Sequence, residues 1–201
     1  MVPYDGTALR IVIATLNPHK MRELGGMLSS HSLVPLPYWA ELPAELGETF
    51  KDNAVPKAHA AAAATNIPAV ADDSGIVVPA LGGAPGVRSA RFAGEDATDE
   101  ENLCKLIDDM RGQEDRRAAY VCAFAFVEPD GTKRVFEGRC EGRLIETPRG
   151  DHGFGYDPVF VPDDLDGDER TMAELSAQEK DEISHRGRAV RAFSEWARSR
   201  R

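Results

Sequence analysis

Cysteine is scarce: the 201 residues hold three, Cys104, Cys122 and Cys140. An odd number without paired spacing argues against a disulfide framework and against a zinc knuckle. Cys104 and Cys122 fall in apolar patterns and are expected as small core residues. Positive charge is also short. With 24 Lys and Arg against 34 Asp and Glu, the formal net charge is −10. Such a surface repels nucleic-acid backbones, so no general DNA or RNA binding is expected. No apolar run reaches membrane-spanning length and no signal-peptide core opens the chain, which leaves the cytoplasm as the expected location. Several catalytic signatures are missing too. There is no Gly-x4-Gly-Lys-Ser/Thr loop, no Gly-x-Gly-x-x-Gly after a strand and no Gly-x-Ser-x-Gly elbow. The five histidines form no i, i+4 ligand pair. The acidic run Asp163 to Glu169 lacks the Gly and the Glu that a calcium loop needs, with Glu169 and Leu175 in their places. It is expected to be a solvated loop.

What is present suits a folded enzyme-sized unit. Hydrophobic residues make up 42% and charged residues 29% of the chain, enough for a real core. Length and the order of elements indicate one α/β domain over residues 1–201, with a mixed sheet, flanking helices and a long hairpin. Residues 1–8 read as a lead-in, and Arg10 to Ala14 as a first buried strand. Pro18 opens a helix in which Met21, Leu24 and Leu28 recur at helical spacing. Leu33 to Leu36 reads as a second strand. Thr49 caps an Ala-rich helix running to about Asn66, which Pro56 is expected to kink or delay. Thr98 to Glu101 and Ser176 to Glu179 are capping boxes. Ala118 to Glu128 and Arg134 to Glu146 are long strands joined at Asp130-Gly131. A last helix starts near Ser184 and places Val190, Phe193 and Trp196 on one face.

Four motifs stand out. In Ala71-Asp72-Asp73-Ser74-Gly75, two carboxylates are expected at a turn between short strands, over Ala69 to Ala71 and Ile76 to Pro79. Adjacent carboxylates stay ionised cheaply only when exposed or beside a cation. The turn is a place for Mg²⁺ and phosphate, or else a solvated Asx turn. Thr15-Leu16-Asn17-Pro18-His19-Lys20 opens a helix, whose free N–H groups and partial positive charge can cradle a triphosphate, or Asn17 merely caps it. Phe154-Gly155-Tyr156-Asp157 sits between flexible joints. Its rings can stack on a base and its carboxylate can accept from a base N–H, or the rings fill core gaps. Lys180, His185 and Arg186 gather near Ser184, either for an anionic ligand or as a salt-bridged surface with Glu179, Asp181 and Glu182.

These motifs, with Glu45-x-Gly47-x-Thr49-Phe50, Asn53-Ala54, Lys57-Ala58 and Gly-Gly-Ala-Pro-Gly, occur in an order that resembles the inosine/xanthosine triphosphate pyrophosphatase family. The resemblance runs from Ile11 to about Phe193. It implies an elongated mixed β-sheet whose long hairpin extends a second lobe, with a nucleotide site in the cleft between lobes. It implies Mg²⁺-dependent cleavage of deaminated purine nucleoside triphosphates (dITP, ITP, XTP) to the monophosphate and pyrophosphate, in a homodimer. By similarity, Asp73 is the base and a metal ligand, Glu45 a second metal ligand and Asp72 a supporting charge. Thr15, Asn17, Lys20, Lys57, Ser74 and Lys180 would hold phosphates and sugar, within a wider loop that includes Leu16, Pro18 and His19. Hypoxanthine and xanthine present N1–H as donor and O6 as acceptor, and adenine reverses both. A carboxylate at Asp157 with a cation at Arg186 therefore selects the first pair. His185, Phe154, Gly155 and Tyr156 complete the base contacts. Two other readings stay open: a Maf-type pyrophosphatase acting on other modified nucleotides, and a non-catalytic nucleotide-binding module.

Overall fold

The computed structural model describes residues 8–165 and 167–200. The lead-in before Ala8 lies outside them. Six strands form one sheet in the order β2-β1-β3-β4-β5-β6. These are β1 (Arg10–Ile13), β2 (Ser32–Pro35), β3 (Ala69–Val77), β4 (Arg117–Val127), β5 (Lys133–Leu144) and β6 (Phe160–Pro162). The helices are α1 (Pro18–Met27), α2 (Phe50–Thr65), α3 (Asp99–Asp109), α4 (Ala177–Ile183) and α5 (His185–Ser199). β1 pairs parallel with both β2 and β3, whereas β6 runs antiparallel to β5. The sheet is therefore mixed, as the alternation of elements predicts. Among the described residues no helix is long and apolar enough to cross a membrane.

The chain divides into two compact units. The first comprises the chain up to Asp73, Ala123–Glu137 and the chain from Arg188. Its β4 segment alternates small and large residues, and the period of two sends them to opposite faces. Ala123, Ala125 and Val127 pack with Val12, Ala14, Ala69 and Ala71 against Ala54, Ala58, Ala61 and Ala62 of α2. Small side chains on both partners let the α2 backbone come close to the strands. Phe124 and Phe126 point the other way and meet Phe193 of α5 at ring separations of 5.4 and 5.5 Å.

The second unit, Ser74–Cys122 with Gly138–Gly187, holds its own core. Ile76, Leu106, Met110, Tyr120, Cys140, Leu144, Tyr156 and Phe160 form its centre. Both expected capping boxes are present, and a third, Thr171 with Glu174, was not foreseen.

Three sequence expectations are corrected. The double aspartate lies inside the nine-residue strand β3 rather than at a turn. The strand tolerates the pair because each carboxylate has partners, so neither needs solvent. Gly75 serves close approach rather than bending: a Cβ there would lie 2.5 Å from the Gly86 carbonyl and closer still to Ser89 Oγ. Second, α2 runs unbroken through Pro56, so its regular part is not delayed. Third, Cys104 is exposed, because Asn102 and Leu106 are the residues of α3 that turn inward.

Candidate active site

The first unit brings three carboxylates and two ammonium groups together. Lys57 lies two turns into α2, which Thr49 caps by accepting from Asp52 N. Its Nζ donates to Glu45 Oε1 at 2.5 Å and to the Asp72 carbonyl at 2.8 Å, and stands 3.9 Å from Asp73 Oδ1. The Asp72 side chain is fully buried and pairs with Lys20 Nζ at 3.2 Å. Asp73 accepts from Asn53 Nδ2 at 2.9 Å. Burial pushes the Asp73 carboxyl above its ordinary range, against the pull of Lys20, Lys57 and the Asn53 hydrogen bond, and Glu45 pushes the same way as burial. Three acids against two ammonium groups leave this set one negative charge in excess, which favours a cation.

The residues fit a hard divalent cation in part. Among the described residues no group of three or more His, Cys, Asp and Glu side chains converges as a metal shell. Glu45 and Asp73 both face Lys57 Nζ, an ammonium that already stands where oxygen ligands meet positive charge. Two carboxylates with water and phosphate oxygens suit Mg²⁺, which rarely uses an all-protein cage.

The loop from Thr15 to Lys20 differs from the expected cradle. Asn17 Oδ1 accepts from His19 N and Lys20 N at 2.9 and 3.2 Å, and Met21 N bonds the Asn17 carbonyl. Pro18 has no N–H. The first-turn donors of α1 are thus used within the chain, and a phosphate there would be held by side chains instead. Thr15 Oγ1 accepts from Asn17 N, and the Leu16 side chain is 79% exposed.

The second unit assembles a cationic set. Asp157 is buried, and its Oδ2 accepts from Lys180 Nζ at 2.7 Å and Phe154 N at 2.9 Å. The Phe154 ring carries Lys180 Nζ at 5.0 Å and the Arg186 guanidinium at 5.8 Å. Arg186 is 2% exposed and donates from Nη2 to Ser74 Oγ at 2.8 Å. His185, at the start of α5, stacks on Tyr120 with ring centroids 4.8 Å apart and planes 9° from parallel. Gly153 adopts a left-handed φ of 74°, and any side chain there would collide with Asp157 Oδ2. Gly155 N donates to Asp99 Oδ2.

Two site expectations change here. Tyr156 is a core residue: it is buried, its hydroxyl donates to the Ser89 carbonyl at 2.8 Å, and burial pushes its pKa upward. Lys180, expected with the phosphates and sugar, lies against Asp157 and Phe154. Asn53, which the sequence offers only within a motif, and Tyr120, which it does not single out, also touch these residues. A sequence signal for Asn53 existed, since Asn53 and Lys57 are spaced i, i+4 on one capped helix and so share a face.

The Ham1 family model matches residues 11–196. A dITP/XTP pyrophosphatase of Streptomyces avermitilis is 48% identical over 190 residues, covering 90% of this chain and 94% of that one. A protein of the same description from Deinococcus radiodurans is 47% identical over 190 residues, covering 92% of this chain and 90% of that one. The solved Ham1 protein of Staphylococcus aureus superposes with a TM-score of 0.84 at 37% identity, covering 96% of this chain and all of that one. A Mycobacterium abscessus structure titled nucleoside-triphosphatase / dITP/XTP pyrophosphatase gives a TM-score of 0.72 at 44% identity, covering 92% and 98%.

Proposed function

The chain belongs to the Ham1 family, and on that premise we propose that it hydrolyses deaminated purine nucleoside triphosphates, dITP and XTP among them, to the monophosphate and pyrophosphate. The observation that carries the site assignment is the placing of Glu45 and Asp73 around one cationic position, held by Lys57. Glu45 and Asp73 would hold Mg²⁺, which when bound neutralises phosphate charge.

The reaction adds one water across the α–β phosphoanhydride. A bond forms between the water oxygen and phosphorus, the bridging P–O bond breaks, and pyrophosphate leaves with the bridging oxygen. Asp73 is the candidate base that orients this water and accepts its proton at a carboxylate oxygen. Asp72 supports the set through its pair with Lys20. Side chains of Thr15, Asn17, Lys20 and Lys57 hold phosphate oxygens.

The cationic set reads the base. Asp157 accepts N1–H, the Arg186 guanidinium donates to O6, and Phe154 offers a ring face. Lys180 pairs with the buried Asp157 and so offsets its charge beside the base. Ser74, bonded to Arg186, follows Asp73 directly on β3. We place the enzyme in the cytoplasm as a homodimer acting on free nucleotides, in keeping with a net charge of −10. The test is pyrophosphate release from dITP, XTP, ATP and GTP with Mg²⁺. Preference for the first two supports the assignment, and equal turnover of ATP contradicts it.

A further inference from the structure

We infer that Asn53 is a positioning residue, which ties the Glu45 loop to Asp73 and so keeps the two proposed cation ligands in register. The inference rests on the reading that Glu45 and Asp73 hold a divalent cation.

The geometry is a bridge with two ends. Asn53 is buried in the first turn of α2. Its Nδ2 donates to Asp73 Oδ2 at 2.9 Å, and its Oδ1 accepts from Gly47 N at 2.7 Å. The partners fix the amide's orientation, because the opposite flip would face N–H with N–H and carbonyl with carboxylate. Gly47 lies two residues beyond Glu45 in the same loop. A Cβ at Gly47 would lie 2.6 Å from Asp52 Cβ and 2.7 Å from Asn53 Oδ1, so the loop seats here only with glycine.

Lys57 makes the same two connections one turn further along α2: to Glu45, and to the other oxygen of Asp73. The two bridges differ in charge. A divalent cation between Glu45 and Asp73 repels the Lys57 ammonium and weakens that bridge. The Asn53 amide is neutral, leaves Asp73 Oδ1 open, and persists when the cation is in place. A hydrogen-bonded partner of this kind sets ligand orientation at metal sites, and its loss typically weakens metal affinity about 10–100-fold.

The experiment measures Mn²⁺ binding to the full-length chain by electron paramagnetic resonance without nucleotide. It compares wild type with Asn53→Ala and Gly47→Ala, which break the bridge from opposite ends. Both variants are expected to bind Mn²⁺ about 10–100-fold more weakly. Both should also show faster amide exchange over residues 44–48, with turnover restored by excess Mg²⁺. The double variant should be little worse than either single one, since one bridge is lost in each case. Wild-type Mn²⁺ affinity in both folded variants overturns the inference, as does weakened turnover that excess Mg²⁺ does not restore. Neither result touches the proposed reaction, which fails separately if the wild-type enzyme releases no pyrophosphate from dITP or XTP.

Discussion

Lys57 Nζ lies 2.5 Å from Glu45 Oε1, so an ammonium group stands beside the carboxylates that the proposed reaction uses for a divalent cation. Lys57→Met removes that charge and leaves Glu45 and Asp73 facing each other without it. Loss of a preorganised cationic donor lowers kcat/KM by about 10²–10³-fold. Lys57→Arg should not restore it, since a planar fork does not reproduce a point charge with three rotatable donors. Steady-state pyrophosphate release at saturating Mg²⁺ measures both variants, and wild-type turnover in Lys57→Met would remove this residue from the site.

Asp157→Asn tests base selection. The amide can turn its N–H₂ toward a base, which matches adenine N1 as an acceptor and clashes with N1–H of hypoxanthine. Sites built on a buried hydrogen bond discriminate by large factors, so the ratio of dITP to dATP turnover should fall by roughly 10²-fold or more. The same change strips Lys180 of its buried counter-ion. A lower Tm should accompany it, because a buried ammonium that loses its closest carboxylate is less well compensated. An unchanged substrate ratio contradicts the assigned polarity.

Gly75→Ala tests the close packing after the double aspartate. The added methyl meets Ser89 Oγ and the Gly86 carbonyl. Ser89 Oγ accepts from Ile76 N and donates to the Gly86 carbonyl, so the collision pushes on the strand itself. Overpacking of this kind destabilises by about 1–3 kcal/mol. Urea unfolding should show it as a lower midpoint with an unchanged slope.

His31 gives a pH dependence. Its Nδ1 accepts from Leu9 N at 3.2 Å, which puts the ring hydrogen on Nε2, a buried atom that finds no hydrogen-bond partner among the described residues. The ring lies 5.7 Å from Phe193. Burial holds its pKa below 6.5. The unfolded chain therefore binds the proton more readily. Stability from neutral His31 is complete above about pH 6.5 and declines as the pH falls toward the depressed folded value. Melting curves from pH 7.5 to 5 should show this loss, and His31→Leu should flatten it while losing the Leu9 hydrogen bond.

The helices and strands were legible because their signals are local. Thr49, Thr98 and Ser176 announce caps, and the alternation in Ala123 to Val127 announces a two-faced strand. The double aspartate was misread as a turn for a physical reason. Strand burial of Asp72 and Asp73 depends on Lys20, Lys57 and Asn53, which lie elsewhere in the chain. For Tyr156 the sequence leaves base stacking and core filling open, because its hydroxyl partner, the Ser89 carbonyl, is 67 residues away. Lys180 is assigned to phosphates and sugar by the resemblance, and its pairing with Asp157, 23 residues away, has no local signal. Asn53 enters the sequence reading only within a motif and by its i, i+4 spacing from Lys57, and its bonds to Asp73 and Gly47 appear only in the fold.

Asp73→Asn is the most direct test of the account. Pyrophosphate release from dITP and XTP with Mg²⁺ should be lost in this variant and robust in the wild type. Because burial raises the Asp73 pKa, its ionised form works against folding near neutral pH, so the neutral amide should also raise Tm at pH 7. Each kcal/mol relieved adds about 2–4 °C for a chain of this size. The gain should shrink as the pH falls through the carboxylate range, where Asp73 is protonated in both states. A folded, inactive and more stable Asp73→Asn is the predicted result. Full pyrophosphate release by that variant would contradict the account.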